Sequence, residues 1–134
     1  SKVVKGYSTD NYTQWAVEYI NGRHRPADKP WYLWLCYGGV HSPFTPADRH
    51  KQDYPGAKVA TPKDIYPPRT GKPDWMQKIE VWAKGPQGEP VLKREARGKE
   101  VGDDDSAAAG RTLSDWVRQY NQAVRALDEG IGRV

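Results

Sequence analysis

The sequence predicts an α/β protein, and three observations carry that expectation. An amphipathic helical pattern opens the chain, and a second, longer one closes it. Between them stands Trp31-Tyr32-Leu33-Trp34-Leu35-Cys36-Tyr37, seven consecutive apolar or aromatic residues. That run is too short for a typical helix and does not alternate. It reads as a strand covered on both faces, of the kind found inside a parallel sheet. A hydrophobic segment of an antiparallel sandwich, or a small α+β domain, would account for the same pattern with less use of the preceding helix.

Taken in order, Tyr12, Trp15, Ala16, Tyr19 and Ile20 recur at helical spacing within a segment from Ser8 to about Arg23. Ser8, Thr9 or Asp10 is placed to cap its first N–H groups, and Gly22 to end it. Arg23 to Pro30 is a polar connection to the apolar run, which Gly38-Gly39 closes. From Gly38 to Gly110 nine prolines break the periodicity, so a long excursion with little regular structure is expected. Residues 78–82 and 90–93 can pair as a small hairpin around Gly85-Pro86-Gln87-Gly88. Residues 94–110 are charged, then Asp-rich, then Ala/Gly-rich, the composition of a mobile loop. Leu113, Trp116, Val117, Tyr120, Val124, Leu127 and Ile131 trace the final helical stripe. Thr112 and Asp115 form a capping-box pattern before it, and Gly130 and Gly132 supply a stop.

Composition bounds the function. The chain has 134 residues, a net charge of +4 and 37% hydrophobic residues, with six Trp and eight Tyr against one Phe and one Met. The apolar content therefore sits in large amphipathic rings, which serve grooves as well as cores. No apolar run is long enough to span a bilayer. One cysteine excludes an internal disulfide framework and a multi-Cys zinc site. A mild, interspersed basic balance gives no footprint for nucleic acid. The N-terminus lacks both an initiator Met and the apolar core of a signal peptide.

A buried parallel strand needs neighbours on both sides, and the sequence offers one convincing strand. The expectation is that residues 1–134 are an internal piece of a larger α/β domain, with 38–110 facing the substrate. Ligands in such sheets bind beyond the carboxyl ends of strands. Here that place holds Gly38-Gly39-Val40-His41, with Pro43 and Pro46 stiffening the exit. Imidazole can donate a proton or a hydrogen bond near neutral pH, which makes His41 the candidate catalytic residue.

The segment Tyr37-Gly38-Gly39-Val40-His41-Ser42-Pro43-Phe44 resembles the end of the buried strand of the sulfatase family, where a Pro-His-x-Pro-like motif stands. Gly6-Tyr7-Ser8-Thr9-Asp10 is similar to the family segment before that strand, and Tyr120 to Gly132 to the helix after it. Val40 stands where Pro usually precedes the His. The resemblance covers Gly6 to Pro46 and Thr112 to Val134. It implies an alkaline-phosphatase-like three-layer α/β sandwich and a sulfuric ester hydrolase. It also implies a formylglycine nucleophile, made from Cys or Ser in a Cys/Ser-x-Pro-x-Arg motif, and a calcium ion held by acidic residues. Only His41 carries over, as a group that hydrogen-bonds the sulfate ester and can protonate the leaving oxygen.

Neither the Cys/Ser-x-Pro-x-Arg motif nor the family's acidic calcium segments are present. Cys36, followed by Tyr37-Gly38-Gly39, reads as a small buried hydrophobe. Asp103-Asp104-Asp105 is not expected to bind metal, since consecutive residues cannot all point inward. The chain alone is therefore expected to be inactive, with the rest of the catalytic domain as its partner. Family resemblance implies export to the periplasm or medium. Arg49, His50, Lys51, Lys58, Lys63, Arg69 and Lys72 gather in the excursion with Tyr66 and Trp75. Cations and flat rings suit a sulfated sugar, which makes Arg69 and Trp75 candidate substrate-binding residues. A solvated surface explains the same cluster. Two other functions fit the sequence: a non-catalytic module for anionic glycans, and a phosphoester or phosphonate hydrolase of the same superfamily.

Overall fold

The computed structural model describes residues 4–41, 44–93 and 112–134. Helix α1 spans Ser8–Ile20, a 3-10 turn covers Asp48–His50, and α2 is a single turn, Asp74–Gln77. Strands β1 (Trp82–Lys84) and β2 (Pro90–Leu92) follow, then the long helix α3 (Leu113–Arg133). This mixture of helix and strand is compatible with an α/β protein. The hairpin is antiparallel, with Trp82 opposite Leu92 and Lys84 opposite Pro90. Its first strand starts later than the sequence suggests, because Lys78 is spent ending α2. One further rung forms where Lys93 N donates to the Val81 carbonyl. The Asp103–Asp105 run, and the loop expected at 94–110, lie outside the described residues.

Helix α1 ends where Gly22 was expected to stop it, the glycine sitting at φ +94° just past Asn21. Its start differs. Tyr7 occupies the N-cap position, and no side chain caps the helix. Gly6, at φ +104°, turns the chain there, so Ser8, Thr9 and Asp10 are already helical. The Thr112–Asp115 capping box does form in α3: Asp115 N donates to Thr112 Oγ1 at 3.1 Å, and Thr112 N donates back to the carboxylate at 3.2 Å. A shorter Asp thus closes the box usually made by Glu or Gln.

The core sits between α1 and α3 and is built from small residues. Thr9, Thr13 and Ala16 are buried on α1; Ala123, Ala126 and Gly130, with Gln119 and Gln122, are buried on α3. This corrects the stripes expected from the sequence. Tyr12, Trp15, Tyr120 and Ile131 are exposed, because the two helices meet on the adjacent small-residue faces. Gly130 corrects a second expectation. The helix runs through it to Arg133, and its role is close approach. A Cβ on Gly130 would stand 2.5 Å from Thr13 Oγ1 and 3.2 Å from Tyr37 Oη.

Residues 31–37 are extended but carry no strand partner among the described residues. They alternate, with Leu33, Leu35 and Tyr37 half-buried, while Tyr32 and Trp34 are 79% and 78% exposed. Burial on both faces is therefore not observed within this chain. Helix α1 covers one face only, through a T-shaped contact of Tyr19 with Trp31 at 5.8 Å and a 2.9 Å hydrogen bond between Thr13 and Tyr37. Cys36 falls on the outer face and is exposed, which corrects its reading as a buried hydrophobe.

Candidate active-site cleft

The extended segment delivers its last residues into a tight turn. His41 N donates to the Gly38 carbonyl at 3.1 Å, and Phe44 N donates to the His41 carbonyl at 3.0 Å. The turn is tied down from three sides. Thr13 gives its hydroxyl proton to the Thr9 carbonyl at 2.8 Å, so Tyr37 must donate to Thr13 Oγ1. Tyr7 donates its hydroxyl to the Thr45 carbonyl at 2.9 Å. Phe44 holds a left-handed backbone at φ +59°, a conformation costing a non-glycine residue about 1–3 kcal/mol. Its ring is edge-on to Trp116 at 5.7 Å and to Tyr120 at 5.6 Å, contacts worth about 0.5–1.5 kcal/mol each. Trp116 in turn meets Trp82 of the hairpin at 5.8 Å.

These restraints frame a cleft of about 750 Å³. One wall is the start of α1, Gly6 to Thr9; the other is the turn from Tyr37 to His41, with Phe44, Thr45 and Ala123 closing the floor. His41 is exposed on its rim. The start of α1 and the His41 turn therefore line one cleft together. The first three amides of α1, Ser8 to Asp10, have no intrahelical acceptor and carry the positive end of the helix dipole.

A second cleft, of about 310 Å³, lies between Asp10, Arg49, Glu129, Gly130 and Arg133. Asp10, Arg49 and Glu129 pair with one another, while Arg133 donates to Gln14 Oε1 at 3.1 Å. Arg49 donates both terminal nitrogens to the two Asp10 oxygens at 2.8 Å, and its Nε to Glu129 Oε2 at 2.9 Å. Buried His50 sets Nδ1 2.8 Å from Asp53 Oδ2, and Nε2 in close contact with Glu129 Oε1 at 2.9 Å. Arg125 pairs with Asp53 at 3.1 Å. The guanidinium holds the Asp10 carboxyl below the usual range, and the His50 ring and then Arg49 do the same for Glu129. This network pins the 3-10 turn to both helices.

Of the residues singled out from sequence, His41 stands on the larger cleft, while Arg69 and Trp75 stand elsewhere. Arg69 is 9% exposed and donates to four main-chain carbonyls, those of Asp64, Ile65, Met76 and Ile79, at 2.5–2.9 Å. Gln77 adds a two-way clasp to the Arg69 main chain at 2.6 Å each way. The guanidinium therefore organises residues 64–79. Trp75, in α2, is 63% exposed. Within the basic cluster, Arg49 and His50 serve the charge network and Lys51 pairs with Asp48. Sequence reasoning passed over Thr9, Tyr7 and Tyr37 as parts of the cleft. The sequence marks Tyr7 and Thr9 in the Gly6–Asp10 segment and Tyr37 in the Tyr37–Phe44 segment, but local pattern does not show that the two segments meet.

The model of one family, Sulfatase, matches residues 1–134. No curated protein and no solved structure gives a significant match.

Proposed function

The chain belongs to the sulfatase family, and from that premise we propose that it forms one wall of a sulfate-ester hydrolase site, with His41 facing the ester. The observation that carries this reading is the cleft at the end of residues 31–37, where an exposed imidazole stands across from the start of α1. An imidazole N–H there donates a hydrogen bond to an ester oxygen. As bond cleavage builds charge on the leaving oxygen, the same group can deliver a proton to it. The binding wall supplies orientation, which turns an encounter into an aligned reaction.

Calcium and formylglycine belong to the family's chemistry. The described residues do not fit either group. Among them no cluster of three His, Cys, Asp or Glu side chains could hold a metal. Cys36 sits on an outer face in Cys36-Tyr37-Gly38-Gly39, without the motif that forms formylglycine. Both groups, in this reading, come from other parts of the same catalytic domain, and no step is assigned to them here. That domain also supplies the strands that pair with residues 31–37 and cover Tyr32 and Trp34, completing an alkaline-phosphatase-like sandwich. The open backbone and outward rings of that segment support the view. Trp75 is the ring offered to a sulfated sugar, and Arg69 shapes the loop that presents it.

The test is hydrolysis of an aryl sulfate by the full-length protein and its His41→Ala variant. Loss of the donor lowers kcat/KM by about 10²–10⁴-fold. Unchanged kcat/KM in a folded His41→Ala protein would sink the reading. The 134-residue chain by itself is expected to show no turnover, since one hydrogen-bonding group does not replace a nucleophile.

A further inference from the structure

An imidazole on a turn acts well only if the turn is held in place, and the wall opposite His41 carries a phenol that reaches across to that turn. We propose that Tyr7 is a positioning residue for His41, its hydroxyl clasped between Thr9 and the Thr45 carbonyl so that both limbs of the turn are held. The proposal rests on His41 being the group that meets the ester, and adds what fixes its place.

Three observations support this role. First, the hydroxyl spans the cleft. Tyr7 Oη donates to the Thr45 carbonyl at 2.9 Å, a partner 38 residues along the chain. Thr45 follows Phe44, whose left-handed backbone at φ +59° persists only where its surroundings hold it. Second, the same phenol oxygen accepts from the buried Thr9 hydroxyl. Thr9 packs against the incoming limb of the turn, where a Cβ on Gly39 would stand 3.4 Å from its Oγ1. Two linked side chains thus touch the turn on either side of His41. Third, Tyr7 occupies the N-cap of α1, a position where Ser, Thr, Asp or Asn would cap the helix. Its side chain makes no cap hydrogen bond and is committed to the turn instead.

Burial holds the Tyr7 phenol above the ordinary tyrosine pKa, against the opposing Thr9 hydrogen bond, so the hydroxyl stays a donor throughout the neutral range. Tyr37 anchors the start of the turn through Thr13, and Tyr7 acts on the stretch that follows. Without its hydroxyl the Thr45 carbonyl loses that donor, and the imidazole samples a wider range of positions. A small misplacement of a reacting group lowers the rate of the aligned step more than it lowers the affinity for substrate.

The experiment compares Tyr7→Phe, His41→Ala and the double variant in the full-length protein, with an aryl sulfate as substrate. Tyr7→Phe keeps the ring and removes the hydroxyl; kcat should fall about tenfold while KM stays within about twofold. In the His41→Ala background the same change should cost less than about twofold, because a group that acts through His41 has nothing left to position. Hydrogen exchange gives a second readout, since the His41 and Phe44 amides are bonded within the turn. Exchange in residues 37–47 should quicken about fivefold to tenfold in Tyr7→Phe, with α3 unchanged, which separates a loosened turn from loss of fold. Additive effects of the two substitutions, or native kcat in Tyr7→Phe beside an impaired His41→Ala, overturn the proposal. Were His41→Ala to leave hydrolysis unchanged, the ester-hydrolase reading would fall; faster exchange in residues 37–47 of Tyr7→Phe would then keep the clasp standing, and native exchange there would remove it as well.

Discussion

Gly130 on α3 offers a sharp test of the packing, because two opposing effects meet there. Replacing a helical glycine by alanine ordinarily stabilises a helix by about 1 kcal/mol. At Gly130 the new Cβ would stand 2.5 Å from Thr13 Oγ1 and 3.2 Å from Tyr37 Oη. Thr13 cannot simply rotate away, since it is fully buried and bonded to the Thr9 carbonyl and to Tyr37. The helices must part, at about 1–3 kcal/mol for overpacking, and the Thr13–Tyr37 hydrogen bond is lost at about 1 kcal/mol. The net expectation for Gly130→Ala is a loss of about 1–3 kcal/mol. Gly132, two residues on, is the internal control, since a Cβ there meets nothing within 4 Å. Gly132→Ala should be neutral to stabilising by a few tenths up to about 1 kcal/mol. Urea unfolding followed by far-UV circular dichroism measures both. Equal stabilisation by the two substitutions would refute the close approach of α1 and α3. Because Tyr37 begins the His41 turn, Gly130→Ala should also broaden the resonances of residues 37–41.

Two further outcomes follow from the polar clusters. Asp10 and Glu129 have depressed carboxyl pKa values in the folded chain, so their contribution is present above the unfolded values near about 4 and is lost as pH falls through the folded ones. Arg49→Met should lower stability at neutral pH and flatten its decline on acidification, measured as Tm from pH 7 to pH 3; parallel native and variant curves would contradict the network. Arg69→Met strips the donor from four carbonyls and should cost on the order of 2 kcal/mol, with early tryptic cleavage at Lys72 or Lys78. Arg69→Lys should not rescue it, because an ammonium cannot fork to four separated acceptors; native-like resistance of either variant would show the loop is held otherwise.

Much of the local structure was legible in the sequence, since it depends on neighbours along the chain. The stop at Gly22, the Thr112–Asp115 box and the hairpin all follow from local backbone chemistry. The place of His41 at the end of an extended run was equally legible, because a glycine pair after an apolar run is a local signal. Faces and partners were harder. The largest apolar residues of α1 and α3 marked a helical stripe but misdirected the packing, since Thr13, Ala126 and Gly130 permit a nearer approach than rings do. Charge in the 49–72 segment suggested a substrate surface, yet Arg49, His50 and Arg69 are committed to protein partners that lie up to 80 residues away.

The sequence by itself determined that the segments of α1 and α3 are helical, that α1 stops at Gly22, and that a histidine follows the one extended apolar run. Periodicity, capping and glycine conformations act within a few residues, so they are written in the order of the chain. Only the tertiary structure decided that α1 begins uncapped opposite that histidine, that Thr9 is buried there, and that residues 31–37 are covered on one face. Those facts depend on which surfaces meet, and that is set by the closest approach that Gly130, Thr13 and the glycine turn allow.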